Sequence, residues 1–108
     1  MNINIFEPSG SLDGNKANEL RNDVKDALSK GAKTILIDLK DVSFMNSSGI
    51  GALVATLKEV KKGGSKLFLC SLSEQVRIIF QLTKMERVFN TFLNREEFEE
   101  NVSKSADG

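Results

Sequence analysis

A chain of 108 residues has room for one hydrophobic core, and at 40% apolar and 28% charged it has the composition of an ordinary globular domain, not of a disordered or membrane-embedded one. Fifteen Lys plus Arg balance fifteen Asp plus Glu, which leaves no net positive field to hold a nucleic-acid backbone. Histidine is absent, so a Ser-His-Asp triad, a Cys-His pair and an imidazole metal site are all excluded.

Asn2-Ile3-Asn4-Ile5 alternates polar and apolar residues as a half-buried strand does, and Pro8-Ser9-Gly10 ends it in a turn. From Lys16 to Lys30, Ala17, Leu20, Val24, Ala27 and Leu28 follow a 3.6-residue period; Asp13 or Asn15 can cap this helix and Gly31 stop it. Thr34-Ile35-Leu36-Ile37, ending at Asp38, is a continuously apolar, β-branched run, the pattern of a strand covered on both faces. After Asn46-Ser47-Ser48 comes the clearest helix, with Ile50, Leu53, Val54, Leu57 and Val60 on one stripe and Gly63-Gly64 as its stop.

Lys66 to Cys70 reads as another buried strand, and Ser73 caps a helix carrying Val76, Ile79, Phe80 and Thr83. Val88 to Leu93 suits a final edge strand, and Asn94 with Glu97 forms a capping box for a last helix anchored by Phe98 and Val102. Strands separated by helical crossovers imply an α/β domain with a mixed, largely parallel sheet of about four to five strands and helices packed on it. One domain is expected over residues 1–103, with a tail at 104–108 that has nothing to bury and frays.

Several chemistries can be tested against their motifs. Gly49-Ile50-Gly51 opens a helix, but Val54 stands where a dinucleotide fingerprint needs a third small residue. Gly63-Gly64-Ser65-Lys66 lies at a helix end before a strand, the wrong polarity for a phosphate-cradling loop. A hydrolase elbow needs Gly two residues before its serine, where Ser47 has Met45. Cys70, the single cysteine, ends an apolar run and reads as an inert buried thiol. Lys58, Lys61, Lys62 and Lys66 read as a solvated helix face. With no basic residue before Lys16, no apolar leader and no stretch near ~20 apolar residues, the chain reads as cytosolic, without a membrane partner; the sequons at Asn46 and Asn101 are then never glycosylated.

What remains is Asn46-Ser47-Ser48-Gly49, between a buried strand and the clearest helix. In the plainest reading one of these polar side chains caps the helix, worth ~1 kcal/mol. The same geometry suits a phosphorylatable hydroxyl, because unpaired amides and the positive helix end stabilise a phosphate. Such a group adds a charge of ~−1.5 to −2, which a docked partner would meet.

Asp41-Val42-Ser43-Phe44-Met45-Asn46-Ser47-Ser48-Gly49-Ile50-Gly51 closely resembles the signature of the anti-sigma factor antagonist family, the STAS domain, written D-[LV]-x-x-[ML]-D-S-[ST]-G-[LI]-G. Gly10-Ser11-Leu12-Asp13 resembles that family's early G-x-L-D turn, and order and spacing agree with single-domain bacterial members along almost the whole chain. The resemblance implies a non-catalytic, cofactor-free regulator of transcription that binds an anti-sigma factor serine kinase, is phosphorylated by it and released, and is reset by a PP2C-type phosphatase. The acceptor carries over to Ser47, with Ser48 the second choice, and the partner-binding edge to Asp13, Asn46, Ser47, Ser48 and Gly49. Asp13 shares that edge if the strands preceding the two loops are parallel neighbours. The family's usual Asp before the acceptor is Asn46 here, which keeps capping ability and loses a carboxylate. A constitutive interaction subunit of the same fold in a scaffold or transporter complex is the alternative; a small enzyme or nucleotide binder using Ser47 and Asp13 is a more distant one.

Overall fold

The computed structural model describes residues 3–107, with side chains as far as Val102. Its elements are β1 (Ile3–Phe6), β2 (Gly10–Leu12), α1 (Gly14–Ser29), β3 (Thr34–Asp38), β4 (Val42–Met45), α2 (Ser47–Lys62), β5 (Lys66–Cys70), α3 (Glu74–Leu82), a 3-10 turn (Met85–Arg87), β6 (Asn90–Phe92) and α4 (Arg95–Asp107). β1, β3, β5 and β6 lie side by side in that order, all parallel, while β2 and β4 pair with each other as a second, two-stranded parallel sheet. The class is the expected α/β, with six strands divided between two sheets.

Alternation along β3 explains the layering. Ile35 and Ile37 point into a core shared with α1, α2 and α3, through Leu20, Val24, Leu53 and Phe80. Leu36 points the other way, onto Cys70 and Phe98, where α4 covers the sheet with Phe68 and Phe92 alongside. A strand buried on both faces has no polar side to show, hence its unbroken apolar run.

Most helix termini lie where the side chains dictate. Asp13 accepts from the Lys16 amide at 2.9 Å, Ser73 from Val76 and Asn94 from Glu97, whose own carboxylate accepts from the Leu93 amide. Thr83, expected on the apolar side of α3, is instead its exposed C-terminal cap and donates back to the Ile79 carbonyl. The last strand is shorter than Val88 to Leu93, because Phe89 turns inward against Phe80 at a ring separation of 5.7 Å. Backbone of α4 continues to Asp107; the side chains of 103–107, and all of Gly108, lie outside the described residues, and with them the expected fraying.

Among the described residues one charged group is buried, at the C-terminal end of β3. Asp38, 1% exposed, accepts from the Lys40 amide at 3.0 Å and from Arg95 Nε at 2.8 Å. Arg95 also meets Glu7 at 2.6 Å, which ties the start of α4 to the ends of β3 and β1. Burial pushes the Asp38 carboxyl up, but the Lys40 amide, Arg95 and Ser71 together outweigh it and hold the acid below its ordinary range.

A carboxyl whose folded pKa is depressed contributes stability above its unfolded value, ~3.9, and that contribution disappears as pH falls through the lower folded value. Arg95→Met is therefore expected to lose about 2 to 3 kcal/mol at neutral pH, less than a fully buried pair because Arg95 is one-third exposed. Urea melts from pH 7 to pH 3 check this: the gap between variant and parent should narrow below pH ~4. A gap that stayed constant with pH would separate Arg95 from the charge of Asp38.

Candidate functional site

β2 and β4 are too short to be recognised from sequence, yet their pairing builds the site. In register, Leu12 lies opposite Met45, so Asp13 and Asn46 leave neighbouring parallel strands at the same end. Each caps the helix that follows: Asp13 holds α1, and Asn46 Oδ1 accepts from the Gly49 amide at 2.8 Å to hold α2. The condition for Asp13 to share an edge with Ser47 is thus met.

Gly49 fixes how closely α2 sits on this edge. A Cβ there would lie 2.1 Å from the Leu12 carbonyl oxygen and 3.1 Å from its carbon. Both are backbone atoms, so no side-chain rotation relieves the clash. Gly49 is buried and acts through that close approach, whereas Gly51, on the outer side of the same turn, faces open space. A Cβ on Gly14 would meet Ser48 at 3.1 Å, so the first turns of α1 and α2 also touch.

Asn46 is the cap, and among the described residues the Ser47 hydroxyl has no hydrogen-bond partner. Ser47 and Ser48 are both exposed, but Ser48 backs onto α1 at Gly14, while Gly51, one turn beyond Ser47, carries no side chain and faces open space. The Ser47 and Ser48 amides stand ahead of the intrahelical ladder at the positive end of α2. A hydroxyl in that position is open to modification, and a phosphate attached to it would meet helix dipole and not buried carboxylate.

A third helix reaches the same edge. Gln75, in the first turn of α3, accepts from the Met45 amide at 3.0 Å through Oε1 and turns its Nε2 toward the Met45 carbonyl at 3.5 Å. It thereby covers the outer edge of β4 two residues before Ser47. Sequence offered no signal for Gln75, since an exposed-looking Gln in a first turn is unremarkable. Elsewhere, Cys70 is buried, and burial pushes its thiol above the ordinary range. Among the described residues no cluster of His, Cys, Asp or Glu could hold a metal ion, and no helix is long and apolar enough to cross a membrane.

Parallel strands deliver two capped helix starts to one edge of an α/β domain, with an exposed serine at the start of α2. The STAS domain family model matches residues 1–98, and the chain belongs to that family. It is 38% identical to the anti-sigma-B factor antagonist of Bacillus subtilis over 82 residues, 76% of this chain and 74% of that one. The Bacillus cell fate determinant SpoIIAA, solved in its phosphorylated form, shares the fold at a TM-score of 0.67 and 23% identity, over 92% of this chain and 90% of that one. So does a sulfate transporter family protein from Wolinella succinogenes, at 0.87 and 15% identity, over 100% of this chain and 90% of its own.

Two glycines in one turn should respond oppositely to the same change. Gly49→Ala is expected to destabilise the domain by about 3 kcal/mol, because strand and helix backbones must separate. Gly51→Ala, in open space within a helix, should stabilise it by about 0.5 to 1 kcal/mol. Denaturant melts of the two variants check both signs, and Gly49→Ala melting with the parent would contradict the close approach.

Proposed function

We propose that this protein is an anti-sigma factor antagonist, a phosphorylation-controlled binding switch that docks on an anti-sigma factor serine kinase when Ser47 is unmodified and leaves when it is phosphorylated. One observation carries the reading: the capping role available to Ser47 is filled by Asn46, which leaves an exposed hydroxyl without a hydrogen-bond partner among the described residues. The kinship with the Bacillus subtilis antagonist supports the same reading. Ser47 is the acceptor and Ser48 its alternate; Asp13, Asn46, Ser47, Ser48 and Gly49 form the docking edge. The protein works in the cytoplasm without a cofactor or catalytic activity of its own, and a PP2C-type phosphatase resets it.

The chemistry divides between the two proteins. Ser47 Oγ attacks the γ-phosphorus of the kinase's ATP, the new P–O bond forms as the β–γ bridge breaks, and ADP leaves with magnesium held by the kinase. A base on the kinase takes the hydroxyl proton, since Asn46 is an amide with no basic site for it. The product dianion lies at a helix start that tolerates negative charge, so the fold persists and the docked surface meets the change.

Peptide mapping of the protein recovered from its host across growth and stress conditions tests the switch. Phosphate on the Ser47 peptide, lost in a Ser47→Ala strain, is the expected result; its absence throughout would favour a constitutive interaction subunit. Ser47→Asp should abolish kinase binding and leave the melting temperature nearly unchanged. Asn46→Asp keeps the cap oxygen while adding a charge beside the acceptor, and should shift the phosphorylation rate in a matched kinase assay. An unchanged rate would make the amide at this position inconsequential for the switch.

A further inference from the structure

We propose that α4 is a hinged cover that parts from the sheet as a unit of its own, while the core beneath the other three helices stays folded, and that Cys70 is the thiol it seals. Leu36 of β3 and Phe68 of β5 stand side by side on the outer face of the main sheet, with Cys70 two residues on from Phe68. Leu36 and Cys70 are fully buried, and the buried side chain laid over them is Phe98 of α4, with half-buried Val102 beside it. The inner face is built differently. There α1, α2 and α3 each give at least two buried side chains to one continuous cluster, and no member of that cluster belongs to α4.

Little else holds α4 down. Beyond Val102 the sequence runs Ser-Lys-Ser-Ala-Asp-Gly, with no large apolar residue to offer. Hollows lie on either side of Phe98 along the helix. An open cavity of about 680 Å³ reaches Asn101 and Val102 on α4 and Phe68 and Phe92 on the sheet, and a smaller one of about 270 Å³ lies at Leu93 and Glu97, where the chain turns from β6 into α4. A side chain facing a hollow lacks partner atoms on that side and forfeits their dispersion attraction. Glu96, Glu99 and Glu100 are exposed at i, i+3 and i+4 spacing with no cationic partner among the described residues, and their mutual repulsion weakens the helix.

What remains is the latch of Arg95 on Asp38 and Glu7. Arg95 is one-third exposed, so water competes for it. Opening therefore costs the burial of one phenylalanine, part of a valine and a solvent-accessible ion pair, offset by the conformational freedom that the chain beyond Leu93 regains. Met45 and Ile50, on either side of Ser47, belong to the inner cluster, so the serine edge is the same in the open and closed forms.

Iodoacetamide, a neutral alkylating probe, reads the opening on the full chain by intact mass, because Cys70 is the single thiol. In the folded parent, labelling is expected to run faster than the global unfolding equilibrium from urea melts allows, with little dependence on urea below the transition. Phe98→Ala should speed it about a hundredfold and Arg95→Met about thirtyfold. Burial holds the Cys70 thiol up and Arg95 opposes it, so losing Arg95 would by itself slow the reaction, and acceleration reads opening. Leu53→Ala, which empties a site in the inner core, should lower global stability and leave labelling without urea at the parental rate. Hydrogen exchange in the parent should find the amides of residues 96–102 exchanging ahead of those of α2. Labelling that tracks global stability in all three variants, or α4 amides protected as long as those of α2, would overturn the proposal and make α4 part of one cooperative unit.

Discussion

The approach of α2 to β2 at Gly49 is the constraint from which the rest of the functional edge follows. The Leu12 carbonyl lies where a side chain would begin, so at this point helix and strand meet backbone to backbone. That closeness sets the height of the first turn of α2 above the small sheet. It brings Ser48 against Gly14 of α1 and lets Gln75 of α3 reach the free edge of β4. The starts of α1 and α2 are thereby fixed through atoms that cannot rearrange by changing rotamer, and the Gln75 side chain ties the start of α3 to the same edge. The ion pair of buried Asp38 with half-buried Arg95 does the corresponding work at the α4 side, closing the second layer onto the main sheet.

Legibility in the sequence followed the range of the interactions. α1, α2 and β3 were readable because their burial is periodic and local: one apolar stripe for each helix, one unbroken run for the strand. Helix caps at Ser73 and Asn94 were readable because donor and acceptor lie three residues apart, while at α1 the geometry chose Asp13 over Asn15. β2 and β4 were not, since three- and four-residue strands have too few positions to show alternation and exist only by pairing across about thirty residues of chain. Asp38 read as a strand end for the same reason: its partner is 57 residues away. Within Asn46-Ser47-Ser48, composition left the cap ambiguous, and only the geometry gave that duty to Asn46.

This assignment separates two functions that short polar runs at helix starts often combine. If the acceptor hydroxyl were itself the cap, modifying it would remove a helix-stabilising bond and the signal would include partial unwinding. With Asn46 as the cap, the Oδ1 bond to Gly49 and the backbone contact at Leu12 stay in place whatever Ser47 carries. Under the proposed switch the domain responds to phosphorylation as a rigid body with a changed surface. All of the discrimination between the two forms must arise in the contact with the partner, and its size depends on how dry that contact is.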